Sequence, residues 1–172
     1  KRYFLHLLDR HLNPANTETM EQAVPYKKYD QQIELQAYCL MGNHYHLLFY
    51  LKDDIKALSG IMRSIGTAYT MYFNLKYDRV GPIFQGTYKA SKITNDSYLQ
   101  HISRYIHRNP REHMTYKYSS LPVYLHKNKP EPWLKPQRSL GLFKGDSYLE
   151  FLEDYDDYKA MSSVIRYELA DK

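Results

Sequence analysis

Two histidines stand one residue apart in MGNHYHLLF, residues 41–49. The stretch reads as a β-strand, and strand side chains alternate faces, so His44 and His46 point the same way. Two imidazoles on one face are either a metal claw or a pair of half-buried aromatics, and the pair alone does not choose. Further along, in RYIHRNP (104–110), Tyr105 and Asn109 are four apart and share a helical face. One offers a phenol hydroxyl, the other an amide oxygen one turn away. A divalent metal needs three or more ligands. Two imidazole nitrogens with the Asn109 oxygen form a mixed set that suits Mg²⁺ or Mn²⁺ handling a phosphate, with positions left open for substrate oxygens. A structural zinc site calls for a fuller set of Cys and His, and Cys39 is the chain's only cysteine. Packing alternatives stand beside each assignment. His44 and His46 can line a sheet face with Leu48 and Tyr50. Tyr105 can belong to a core stripe with Tyr98 and Ile102, and Asn109 can be simply the last helical residue before Pro110.

The elements that must carry these residues follow from periodicity and punctuation. Residues 1–12 read as a helix with Phe4, Leu5, Leu8 and Leu12 on one stripe. Residues 13–30 are polar, contain Pro14 and Pro25, and read as a loop. QIELQAYCL alternates Ile33, Leu35, Ala37 and Cys39 as a strand, MGN supplies a turn, and HYHLLFYL returns as its antiparallel partner. Asp53 or Asp54 caps a long helix to about Lys76, with Ile55, Leu58, Ile61, Met62, Ile65 and Tyr69 as its apolar face. YDRVGPIFQG is a loop whose Gly81 and Gly86 serve the turns. TYKASKI (87–93) reads as a short strand, and Thr94 or Asn95 caps a helix that stops before Pro110. From about Pro130 the chain reads as a loop and one or two short helices. The class is α+β. With one strand ahead of residue 1 the order becomes βαββαβ, a ferredoxin-like sandwich with an antiparallel sheet. That first strand is missing from the chain, which opens KRYFLHLL, without Met and already helical; the natural N-terminus is expected upstream. Residues 1–125 form the expected functional domain, N-terminally incomplete, and 126–172 a helical C-terminal tail.

The 172 residues are 43% hydrophobic, enough for one domain and a tail. No apolar run approaches membrane-spanning length, no signal-peptide pattern opens the chain, and the single cysteine fits a reducing cytosol. Net charge is +5, unevenly spread: residues 52–117 carry 11 Lys/Arg against 5 Asp/Glu, residues 140–172 carry 4 against 8. A basic middle suits a polyanion, and the chain's 19 tyrosines include some placed to stack on unpaired bases. Lys89 reads as a phosphate contact, Tyr88 as a stacking residue and Gln85 as a base-edge contact, with Arg63, Arg79, Arg104 and Arg108 as further backbone contacts. The plain alternative for each is solvated surface. The same holds for His101 and His107, read as surface or DNA-facing, and for the acidic segment DSYLEFLEDYDDY, which can also shield the basic region. On the shielding reading, deletion from about residue 140 raises DNA binding.

Three segments together, AYCLMGNHYHLLF, GPIFQGTYKAS and RYIHRNP, resemble the HUH single-tyrosine transposases of the insertion-sequence-200-like superfamily, and among them the REP-associated tyrosine transposases. The resemblance spans roughly residues 32–125, and the family's opening strand has no counterpart in the chain. It implies cleavage and rejoining of single-stranded, hairpin-forming DNA through a 5′-phosphotyrosine, with Tyr105 as nucleophile, His44, His46 and Asn109 as metal ligands, and Mg²⁺ or Mn²⁺ as cofactor. It implies a bacterial cytoplasmic protein at the nucleoid when bound to DNA, a monomer in preference to a homodimer, with no membrane partner. The alternative function is a non-catalytic DNA-binding descendant of such an enzyme. A histidine-triad nucleotide hydrolase would want a third alternating histidine, and position 48 is Leu48.

Overall fold

The computed structural model describes residues 1–52, 54–144, 147–154, 158–159 and 161–165. They fall into two compact units, Lys1–Glu34 with Tyr50–Tyr88, and Leu35–Phe49 with Lys89–Lys172.

The first unit is built on two helices, α1 (Arg2–Leu12) and α2 (Ile55–Tyr77). Asp54 caps α2 by accepting a hydrogen bond from the Lys56 amide, so the cap falls on the second of the two aspartates; Asp53 lies outside the described residues. The helices meet through aromatic rings: Tyr3 stacks on Tyr72 at 3.9 Å, and Phe4 meets Tyr69 edge-on at 5.4 Å. The loop after α1 contains one 3₁₀ turn (Glu21–Ala23) and is held by Lys28, whose ammonium donates to the carbonyls of Arg10 and Asn13. Tyr29 is buried, with its ring over Gly60 of α2. After α2 the chain turns through Gly81 (φ 90°) and Gly86 (φ 123°), conformations that suit residues without a Cβ.

The second unit contains most of an antiparallel hairpin, β1 (Ile33–Leu40) and β2 (Tyr45–Leu51), closed by a Met41 amide to His44 carbonyl bond of 2.8 Å. Helix α3 (Asp96–Arg108) is capped by Asn95, which accepts from the Tyr98 amide. Short helices α4 (Leu121–Tyr124), α5 (Gln137–Leu140) and α6 (Ser147–Glu153) follow. Ile102, Tyr105 and Ile106 of α3 share one core with Ala37 and Cys39 of β1, Leu48 of β2, and Leu121, Tyr124, Tyr148, Leu152 and Ile165. The acidic segment is therefore more than a solvated cover: Tyr148 and Leu152 are core residues, and deletion from residue 140 would remove them.

The α+β class and the hairpin agree with the sequence reading; the expected third strand does not form. Residues 88–94 have no regular structure, and the sheet of the described residues has two strands. A strand needs a ladder partner, and the outer edge of β1 is already bonded. Cys39 bridges to Ser119, the Leu40 amide donates to the Tyr118 carbonyl, and the Lys135 amide donates to the Leu35 carbonyl.

Candidate functional site

The turn at 41–44 sets His44 at the start of β2, and the alternation of the strand sets His46 on the same face. Their rings lie 5.0 Å apart, nearly perpendicular. Tyr105 on α3 and Asn109, the residue that caps its C-terminal end, present one turn to this face. The His46 ring meets the Tyr105 ring edge-on at 5.4 Å, and His44 Nε2 lies 3.1 Å from Asn109 Oδ1. Four residues from two separated stretches of sequence thus converge at the turn end of the hairpin.

Their environments differ. His44 is exposed, and Asn43 Oδ1 lies 2.8 Å from its Nδ1. A neutral imidazole has one N–H, so an uncharged His44 can donate to only one of the two amide oxygens beside it. His46 is partly exposed at its edge, yet its Nε2 is sealed from solvent with no hydrogen-bond partner among the described residues. Burial, and secondarily the neighbouring His44, push its pKa down to about 4, so it is neutral at pH 7 with an available lone pair. Tyr105 is 8% exposed and belongs to the core. Among the described residues no three His, Cys, Asp or Glu side chains gather as a metal cluster; the convergent donors here are two imidazoles and an amide.

The expected DNA contacts divide. Arg63, Arg79, Gln85, Tyr88 and Lys89 are exposed, and the Tyr88 hydroxyl pairs with that of Ser59 at 3.2 Å. Arg104 is a correction: it has no exposed surface, its Nη1 donates to the Phe151 carbonyl at 2.8 Å, and its guanidinium lies 4.0 Å over the Phe151 ring. Arg108, partly exposed, donates to the Leu152 carbonyl at 2.8 Å and stacks on Tyr158 at 4.5 Å. Both arginines cap the C-terminal carbonyls of α6, where cations are favoured. His107 is a second correction: it is fully buried, between the Tyr148 hydroxyl at 2.5 Å and Ser120 Oγ at 2.7 Å. His101 is half-buried, 2.9 Å from Arg104 Nη2. Sequence reasoning missed Asn43, whose only signal was its place next to His44. It also missed Tyr148, which nothing in its local sequence links to α3.

The family model described as Transposase IS200 like matches residues 9–109, a stretch that includes His44, His46, Tyr105 and Asn109. The chain belongs to the IS200-like transposase family. Transposase function, with DNA as the partner, comes with that membership. No curated protein and no solved structure matches the chain. No helix among the described residues is long and apolar enough to cross a membrane.

Proposed function

We propose that the chain is a divalent-metal-dependent endonuclease of the HUH type that cuts and rejoins single-stranded hairpin DNA, with Tyr105 as nucleophile. The observation that carries this reading is the convergence of His44 and His46 from β2 with Tyr105 and Asn109 from α3. The donor set fits a Mg²⁺ or Mn²⁺ ion. Among the described residues no group uses the His46 Nε2, and His44 Nε2 and Asn109 Oδ1, 3.1 Å apart, would both offer lone pairs to an ion when the His44 proton is on Nδ1. A bound ion would polarise the scissile phosphate and steady the departing oxygen. The Tyr105 oxygen attacks phosphorus, the phosphorus–O3′ bond breaks, the phenol proton leaves and the 3′ oxygen takes one up. The products are a 5′-phosphotyrosine and a free 3′-hydroxyl. The ester is conserved, so rejoining by reversal needs no nucleotide. A phenol has a pKa of about 10, and the packing of Tyr105 against His46 holds its ring against an edge of neutral imidazole. Arg63, Arg79, Gln85, Tyr88 and Lys89 form the exposed DNA-contact set; Arg104 and Arg108 leave it, because both are engaged on α6.

The substrate class in this reading is a repeated palindrome in single-stranded form, as for the REP-associated group, and the working unit is a monomer in the bacterial cytoplasm, at the nucleoid when bound to DNA. A second reading, a non-catalytic DNA-binding descendant, draws on the 8% exposure of Tyr105. One experiment separates them. End-labelled hairpin DNA from the surrounding genome is incubated with the protein and Mn²⁺ or Mg²⁺ and resolved on denaturing gels. A metal-dependent covalent band that keeps the DNA 3′ of the cut, and is lost in Tyr105→Phe, is the expected result. Tight binding with no band favours the descendant. A band that survives Tyr105→Phe assigns the attack to another tyrosine.

A further inference from the structure

Helix α3 presents three rows of side chains, and only one of them faces the hairpin. Tyr98, Ile102, Tyr105 and Asn109 follow the spacing of one face; of these, Tyr105 and Asn109 meet His46 and His44. Ser103 and His107 lie on the far side of the helix. Both reach the Tyr148 hydroxyl of α6, at 3.4 and 2.5 Å, and His107 also reaches Ser120 Oγ. Between these rows, Arg104 and Arg108 donate to the carbonyls of Phe151 and Leu152, the last turn of α6. Phe151 and Tyr158 cover the two guanidinium planes. The helix that carries two of the four convergent residues is thus gripped from behind by Tyr148, Phe151, Leu152 and Tyr158. Those residues lie beyond the 9–109 stretch that the family shares.

We infer that α6 is a positioning element for the reactive helix: Tyr148, with the Arg104 and Arg108 caps, sets the depth and rotation at which α3 presents Tyr105 and Asn109 to His44 and His46. The inference rests on the proposed nuclease reading for what is positioned, and on the contacts above for how. Two features fit a locator better than general adhesion. The contacts are directional hydrogen bonds from two adjacent rows of α3, which fix rotation about its axis, whereas an apolar contact tolerates sliding. They also occur one residue before Tyr105, two residues after it, and one residue before Asn109, so a small shift is transmitted directly to both.

The test uses the full chain with 3-fluorotyrosine at position 105, as wild type and as Tyr148→Phe and Arg108→Ala. Tyr148→Phe keeps the ring and removes only the hydroxyl. Arg108 is partly exposed, so its loss leaves no buried void. Ile61→Val, a core change in the other unit, serves as the control for stability loss. Three quantities are read: the ¹⁹F resonance at position 105, Mn²⁺ affinity, and the rate of covalent attachment at saturating DNA. Both α6-facing variants are expected to shift or broaden the ¹⁹F signal and to weaken Mn²⁺ binding. They should slow attachment by about ten- to a hundredfold, the upper figure being the scale of an ångström misplacement, with DNA affinity within about twofold of wild type because the DNA-contact surface is untouched. Ile61→Val should move none of the three. An unchanged ¹⁹F signal and unchanged Mn²⁺ affinity in both folded variants would overturn the inference. A wild-type protein that forms no covalent band, while the variants still shift the ¹⁹F signal, would overturn the nuclease reading and leave the positioning role standing.

Discussion

At the scale of single residues, His46 separates a ligand from a packing residue. Its Nε2 is buried with no hydrogen-bond partner among the described residues, a state that costs free energy in a purely structural role. Replacing it with Phe keeps a ring against Tyr105 and removes the orphan nitrogen. His46→Phe is therefore expected to keep or raise the melting temperature while abolishing Mn²⁺ binding, measured by thermal unfolding and calorimetric titration. A packing histidine would instead leave metal binding unchanged. His44, exposed and set between Asn43 and Asn109, should behave differently: His44→Ala should cost little stability and weaken metal binding alone. The two histidines were legible in the sequence because strand alternation puts i and i+2 on one face. Their difference in burial was not, because it depends on where along the strand α3 packs: His46 lies against Tyr105, and His44 lies beyond it at Asn109.

At the scale of elements, the caps and close approaches are the sensitive points. Asn95 accepts from the Tyr98 amide at the start of α3, and Asn95→Ala should cost about 1 kcal/mol by denaturant unfolding. Gly60, inside α2, has Tyr29 so close that an added Cβ would stand 2.8 Å from its hydroxyl oxygen and 2.9 Å from a ring carbon. Gly60→Ala gains helix propensity yet must displace a buried ring, and is expected to destabilise by about 1–3 kcal/mol. A stabilised variant would show that the Tyr29 ring moves freely. Boundaries set by local chemistry were readable: the caps of α2 and α3, the stop at Pro110, the hairpin, and the positive-φ glycines at 81 and 86. The strand expected at 87–93 was not, since alternation says nothing about whether an edge is free to receive it. The rear face of α3 was equally opaque. Arg104 and His107 look like solvent-facing residues until Phe151 and Tyr148, 47 and 41 positions further along the chain, arrive to bury them.

At the scale of the whole molecule, buried neutral histidines give stability a pH dependence. Burial, with a smaller contribution from His113, pushes the His107 pKa down to about 3; burial also lowers that of His11, partly offset by the Lys27 carbonyl. An unfolded histidine takes up a proton at a pH of about 6.5, where the folded protein still excludes it. The unfolded state then binds more protons, so stability is intact above that value and is lost as pH falls from there towards the folded values. Melting temperature is expected to decline from pH 7 to pH 5, and His107→Gln should flatten the decline; a melting temperature that rises on acidification would contradict this.

Cys39 lies in the middle of the second unit's core, fully buried on β1, and is the chain's one thiol. A thiolate-seeking reagent can reach it only when the packing over the hairpin opens. Its labelling rate in the native protein is therefore a clock for that opening, readable without any engineered probe. The same measurement with DNA bound would report how firmly substrate closes the fold around its own site.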